Sequence, residues 1–227
     1  MNAPLLRVEQ LQLATTHETL LQPLSFRLEK GSCLGLVGES GSGKSLTSLA
    51  IMGLLPSGIA PAGKIYFQGE ELLAMPPEAR RRLRGRAMSM IFQEPMSSLN
   101  PSQRCGHQVE EVLRWHSSLT GKQRHRRVLE LLEEVELPRV KELARAYPHQ
   151  LSGGQKQRIM IAMALACRPT LLIADEPTTA LDVSVQASIL RLMARLGEEY
   201  DMGMLFISHD LAVVREVADQ VLVLQRG

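Results

Sequence analysis

No apolar run in this chain is long enough to cross a membrane. The longest, 159–167, has nine residues, about half of what a spanning helix needs. The opening MNAPLLRVEQ reaches charge almost at once and lacks the apolar stretch of a secretory leader. These absences lead to the expectation of a cytoplasmic chain whose membrane-spanning partners, if any, are other subunits. Cysteine is scarce too: Cys33, Cys105 and Cys167 lie far apart, with no C-x-x-C pair. That spacing excludes a disulfide framework or a cysteine-rich metal site and predicts inert thiols. A net charge of +2 gives no general nucleic-acid signal, so no nucleic-acid partner is expected. Internal repeats and low-complexity tracts are also missing. What remains is ordinary for a globular protein: 227 residues, 44% hydrophobic and 22% charged, enough for one large or two small domains with a core.

The N-terminal part reads as half-buried strands. Leu24, Phe26 and Leu28 alternate with Ser25 and Arg27, and Ile65 and Phe67 alternate with Lys64, Tyr66 and Gln68. Four other runs, at 33–37, 88–92, 171–174 and 204–207, are nearly all apolar. Such runs fit strands covered on both faces, as in a parallel sheet with flanking helices. Between 93 and 151 the period becomes helical: Val128, Leu131, Leu132 and Val135 form one stripe that Pro138 ends. Ile159, Ala162, Met163 and Ala166 predict a second stripe before Pro169. The chain closes on VLVLQRG, which reads as another strand and suggests a tail removed or the first half of a fused pair.

Chemistry concentrates in two places. GESGSGKS at 38–45 has the form G-x-x-x-x-G-K-[ST]. Gly38, Gly41 and Gly43 permit positive φ and close approach to phosphate, with Glu39, Ser40 and Ser42 contributing loop backbone. Lys44 is placed to reach the β/γ-phosphates and the Ser45 hydroxyl to hold Mg²⁺. The apolar CLGLV before it and SLTSLAIM after it supply the strand and helix such a loop requires. LLIADEP puts Asp175 and Glu176 at the end of a buried strand. A carboxylate pair there is commonly solvated surface; beside a phosphate loop it suits a metal ligand (Asp175) and a water-orienting base (Glu176).

LSGGQ at Leu151, Ser152, Gly153, Gly154 and Gln155 resembles the signature of the ATP-binding-cassette (ABC) ATPases. That resemblance implies a dimer in which this segment binds ATP held by the partner's phosphate loop. It implies an α/β fold: a P-loop NTPase core, mainly parallel sheet with flanking helices, plus an N-terminal antiparallel β-subdomain and an inserted α-helical subdomain. The chain would be a single ABC ATPase domain, with 1–93 and 158–227 as core and 94–157 as the helical signature subdomain. By the same resemblance Gln93 senses γ-phosphate and helps hold Mg²⁺. Asp182, in TALD, lies in a dimer-interface loop, and His209, in FISHD, is a catalytic switch histidine. ATP and Mg²⁺ are the implied cofactors. The family's usual aromatic for adenine is missing from the upstream window LQLATTHET. There His17 is either a weak stacking partner or a solvated loop residue.

FQEPMSSLNP at 92–101, YPHQLSGGQKQRIMIAMALACRP at 147–169 and IADEPTTALDVSVQA at 173–187 resemble the oligopeptide, dipeptide and nickel importer branch. That branch implies two membrane permease subunits, an extracytoplasmic solute-binding protein, and a second ATPase subunit or fused second ATPase half. It places the chain peripherally on the cytoplasmic face of the inner membrane. A competing reading is a soluble importer-like ATPase serving a phosphonate-degrading complex. DNA-repair and ribosome-associated members carry coiled-coil insertions that this sequence lacks. Residues 94–100, with Met96 and Leu99, are expected to grip a permease loop. Arg80, Arg81, Arg82, Arg84 and Arg86 read as a solvated turn, or as a contact for anionic headgroups or a permease loop. RHRR at 124–127 is expected on the exposed face of its helix.

Overall fold

The computed structural model describes residues 3–93, 98–179, 181–225 and 227. Its strands form two sheets. β1 (Leu6–Ala14), β2 (Thr19–Leu28), β4 (Ala60–Phe67) and β5 (Glu70–Glu71) make an antiparallel sheet of order β2-β1-β4-β5. β3 (Cys33–Gly38), β6 (Met88–Ile91), β7 (Leu171–Asp175), β8 (Gly203–Ser208) and β9 (Gln220–Leu224) make a parallel sheet of order β6-β7-β8-β3-β9. All four apolar runs lie in the second sheet, and the reason is visible residue by residue. Leu34 and Leu36, Leu171 and Ile173, and Leu205 and Ile207 face a core shared with the antiparallel sheet. Their strand neighbours Cys33 and Val37, Leu172 and Ala174, and Met204 and Phe206 face a second core on the other side. A strand buried on both faces has no polar position to alternate with. The expected strand at 88–92 stops at Ile91, leaving Phe92 45% exposed.

The helices are α1 (Lys44–Met52), α2 (Pro77–Leu83), α3 (Cys105–His116), α4 (Gly121–Glu134), α5 (Val140–Leu143), α6 (Gly153–Leu165), α7 (Val183–Glu199) and α8 (Leu211–Arg215). α4 carries the expected stripe: Val128, Leu131 and Leu132 are buried, and Val135 is buried just beyond its end. Its start is fixed where Gln123 Oε1 accepts the Thr120 N–H at 2.8 Å. α6 departs from the expected single stripe. Ile159, Met160, Ile161, Ala162, Ala164 and Leu165 are all buried while Met163 is only half-buried. The helix touches α3, α4, α7 and β6, so it is covered nearly all round and no polar face is needed. It is continuous across 157/158, the position where the sequence placed the end of the helical region.

Two further expectations are corrected. Arg124 and Arg127 are not on a solvated face: Arg124 Nη1 donates to the Leu119 carbonyl at 2.7 Å, and Arg127 pairs with Glu134 at 2.6 Å. Their partners are the loop carbonyl just before α4 and the last residue of α4 itself, and only His125 and Arg126 of the four stay exposed. Leu99 is 2% exposed and belongs to the core. It is not free to contact a permease, and an Asp there would act on folding. Glu94 and Met96, named for the same surface, lie outside the described residues. The three cysteines are free thiols, Cys33 and Cys105 buried and Cys167 half-buried. Burial pushes the Cys33 thiol up to about 12, with Asp219 adding to it. Burial likewise pushes Cys105 up to about 11, so neither forms the reactive thiolate near neutral pH. Among the described residues no helix is long and apolar enough to cross a membrane.

Candidate functional site

Parallel sheets present their strand C-termini as a ready crevice for ligands, and here four strand ends deliver the predicted residues together. β3 runs into the 38–45 loop. Gly43, at φ 95°, caps α1 without any side-chain bond. Only glycine takes that backbone freely, and no side chain covers the first N–H groups of α1. Such a bare helix start favours an anion. Lys44 is 5% exposed, and its Nζ donates to the carbonyls of Gly38 and Glu39, both at 2.8 Å. The ammonium thus sits inside the loop, held by the loop's own backbone. Glu39 and Gly41 are exposed and Ser40 also faces solvent, whereas Ser42 is buried.

Asp175 ends β7 and is 4% exposed. Burial pushes its carboxyl above the usual carboxylate range; the Ser45 hydroxyl, by hydrogen bond, and the Lys44 charge pull it back, while Glu176 adds to the rise. Among the described residues, Asp175 Oδ1 and Ser42 Oγ are buried without hydrogen-bond partners. A buried polar atom left so costs about 1–3 kcal/mol until a ligand satisfies it. Orphaned atoms on both sides of Lys44 and Ser45 mark the crevice as made for something polar.

Glu176 gathers the rest. Its side chain is only 12% exposed. Its Oε2 accepts from Gln93 Nε2 at 3.2 Å and Thr179 Oγ1 at 2.9 Å, and lies 3.2 Å from His209 Nδ1. An imidazole bonded this way donates from Nδ1 and keeps Nε2 for another partner. Gln93 follows β6, Glu176 follows β7 and His209 follows β8, three neighbours in the sheet. The cluster is therefore set by strand order. Glu176 itself has φ 48° while its N–H still bonds the Ile207 carbonyl at 2.9 Å.

Leu151, Ser152, Gly153, Gly154 and Gln155 lie at the start of α6. Ser152 is the N-cap: its Oγ accepts the Gln155 N–H at 3.3 Å, and Gln155 Oε1 accepts the Ser152 N–H at 3.0 Å. Leu151 is buried, while Ser152 and Gly153 are exposed. Gly154 lies against α7, where an added Cβ would come 2.7 Å from Val185 Cγ1. These hydrogen bonds are internal, and none reaches the 38–45 loop. Asp182 is exposed at the N-terminus of α7, beside a Val183 that is 84% exposed. His17 sits exposed in the turn between β1 and β2, its N–H bonded to Thr15 Oγ1 at 3.2 Å.

Sequence reasoning missed three positioning residues. Thr179 reads from the sequence only as the first residue of TALD; its place three residues after Glu176 is the signal. Ser208 and Asp210 fix the backbone around His209. Ser208 Oγ accepts the Asp210 N–H at 3.0 Å, and Asp210 Oδ1 caps α8 at the Ala212 N–H, 2.8 Å away. An Asp just before an apolar run is a legible cap.

Fold and crevice together define a phosphate-loop α/β protein with helices inserted between β6 and β7. Known proteins agree and narrow the class. A family model described as ABC transporter matches residues 21–179. The peptidoglycan transport ATP-binding protein YejF of Agrobacterium fabrum is 50% identical over 230 residues, 99% of this chain and 42% of that protein. The oligopeptide transport ATP-binding protein OppD of Escherichia coli K12 is 47% identical over 209 residues, 92% of this chain and 62% of that protein. The ATP-binding cassette MJ0796, solved as a dimer in a post-hydrolysis state bound to ADP and Pi, superposes with a TM-score of 0.85 at 28% identity, over 98% of this chain and 95% of that one. This chain belongs to the ABC transporter family. It spans between 42% and 62% of the length of the two relatives named.

Proposed function

We propose that this chain binds ATP and hydrolyses it to drive solute import through membrane partners. The observation that carries the reading is Glu176, aimed by Gln93, Thr179 and His209 beside the Asp175–Ser45–Lys44 group. In this reading the bare N-terminus of α1 and the Lys44 ammonium take the β/γ-phosphates. Glu176 accepts a proton from water as its oxygen bonds the γ-phosphorus, and the bond to the ADP oxygen breaks. His209 keeps Nε2 for a phosphate oxygen. A Mg²⁺ ion held by Asp175 and Ser45 would supply charge neutralisation to the transferring phosphate. The donor set fits that ion: Asp175 has an orphaned buried oxygen, and Ser45 offers a hydroxyl beside it. Among the described residues no cluster of three His, Cys, Asp or Glu side chains exists. Phosphate and water would therefore complete the shell, with Gln93 as a further oxygen ligand.

The segment 151–155 serves the phosphate loop of a second ATPase unit, since its own bonds are internal and point to no loop in the same chain. Asp182 and exposed Val183 lie where such a partner would meet it. Two permease subunits and an extracytoplasmic solute-binding protein complete the importer, with this chain peripheral on the cytoplasmic side of the inner membrane. Peptides are the solute class favoured by the names of the relatives, which include oligopeptide, dipeptide and glutathione carriers. Nickel rests on motif resemblance alone, and the phosphonate-complex alternative on none of these names. The test is Glu176→Gln. ATP turnover in the assembled transporter is expected to fall by about 10²–10⁴-fold, the usual worth of a positioned base, while ATP binding persists. Near-normal turnover would remove Glu176 from the chemistry.

A further inference from the structure

The densest charge in the molecule lies away from the nucleotide crevice. Arg81 and Arg82 in the last turn of α2, and Arg84 and Arg86 just after it, line a cavity of about 570 Å³ with Trp115 and His116 at the end of α3. A second cavity of about 660 Å³ shares Arg86, Trp115 and His116 and adds Arg127 and Arg168. Neither is lined by a carboxylate. Among the described residues Arg82, Arg84 and Arg86 have no acidic partner, and Arg81 has only a surface pair with Glu78 at 3.3 Å. Arg84 is partly committed, donating to the Met52 carbonyl at 3.0 Å.

Two features separate this cluster from an ordinary solvated charge run. The first is Trp115, the one Trp in the chain and 74% exposed. A large indole left in water beside guanidinium groups has a flat face and an apolar body without a partner. The second is close packing. Gly85 (φ 76°) lies so close to His116 that an added Cβ would come 2.6 Å from its Nε2, which sets the arginine turn against the end of α3. Burial and the Arg86 charge lower the His116 pKa, so this ring adds no positive charge at neutral pH. The turn precedes β6, at the N-terminal edge of the parallel sheet, opposite the edge that holds Lys44, Asp175 and Glu176. These arginines therefore have no part in holding the hydrolysed phosphates.

We propose that the arginine turn and the end of α3 form a second anion site, for a phosphate ester carried beside a flat or apolar group. The guanidinium forks take the phosphate oxygens, and Trp115 takes the neighbouring group. A soluble nucleotide and a lipid headgroup both present that chemistry, and the volume suits a small ligand. Trp115 is also the reporter. Its fluorescence in the purified chain is titrated with adenosine monophosphate in one arm. In the other it is titrated with phosphatidylcholine vesicles containing phosphatidylglycerol. The expected result is a saturable change in at least one arm, weakened by added salt. It should be at least tenfold weaker in Arg82→Glu/Arg86→Glu and retained in Arg126→Glu/Arg139→Glu, which carries the same change of net charge elsewhere. Response to the nucleotide alone identifies a soluble ligand, response to vesicles alone a headgroup, and response to both a site that accepts either. Silence in both arms, equal binding by Arg82→Glu/Arg86→Glu, or equal loss in the control overturns the proposal. ATP affinity unchanged in every variant verifies the fold; Arg82→Gln/Arg86→Gln replaces the charge reversal if that variant fails to fold.

Discussion

Two glycine-rich turns open helices in this molecule, and they are finished in opposite ways. At 38–45 the helix begins on Gly43 with no side-chain cap, and among the described residues the nearby Ser42 Oγ and Asp175 Oδ1 have no partner. At 151–155 the helix begins on Ser152, which is capped by its own hydroxyl and by Gln155. The first turn leaves the opening N–H groups of α1 uncapped, so a ligand gains new bonds there. The second satisfies itself and offers a formed, rigid surface. One binds by being incomplete; the other is complete and must meet its ligand from outside.

The sharpest test of that contrast is Lys44→Ala. Its ammonium is a buried donor to a charged ligand, a bond worth about 1.5–3 kcal/mol, so ATP affinity should fall about 10–100-fold by isothermal titration, with the fold intact by circular dichroism. Unchanged affinity would detach Lys44 from phosphate. Gly154→Ala probes the other turn. The added methyl meets Val185 Cγ1 at 2.7 Å, and overpacking of this kind costs about 1–3 kcal/mol. Thermal unfolding should shift down while ATP binding by the isolated chain stays the same; a loss of binding without a loss of stability would break the comparison. Ser152→Ala removes the cap and should cost about 1 kcal/mol, or about 2–4 °C in a chain of this size, again without touching the chain's own ATP affinity.

The smallest effect expected is a gain. The folded-state pKa of Asp175 is raised by burial, so between its unfolded and folded values the folded chain holds the extra proton. Stability without nucleotide then falls as pH rises through that window, and the deficit persists above it. Asp175→Asn should therefore raise the melting temperature of the ligand-free chain at neutral pH. The gain should vanish at acid pH, where both states are protonated, and Mg²⁺-dependent hydrolysis should fall at every pH. A melting temperature unmoved at pH 7 would show that the carboxylate is solvated.

The parallel strands were legible because burial on two faces leaves an unbroken apolar run, and α4 because a helix with one wet face must repeat every 3.6 residues. α6 defeated the same rule, since a helix covered on nearly every side has little period to read. Arg124 and Arg127 misled because charge repeats do not show which partners they meet: Arg127 bonds Glu134 at the end of its own helix and lies within reach of Tyr200, which is 73 positions away. The crevice was largely spelled out in GESGSGKS, ADEP and SHD. What those strings did not carry is that Gln93, Glu176 and His209 share one carboxylate oxygen, a consequence of β6, β7 and β8 being neighbours in the sheet.

Glu176 sits at φ 48°, a backbone setting that a side chain with a Cβ holds at a cost of roughly 1–3 kcal/mol. In a regular strand it would face away from its neighbour Asp175. A glycine or asparagine would occupy the same bend with less strain, so replacing Glu176 with either should make the protein sturdier and idle. Descendants of this chain released from the need to turn over ATP would be expected to drift first at this position, long before the phosphate loop decays.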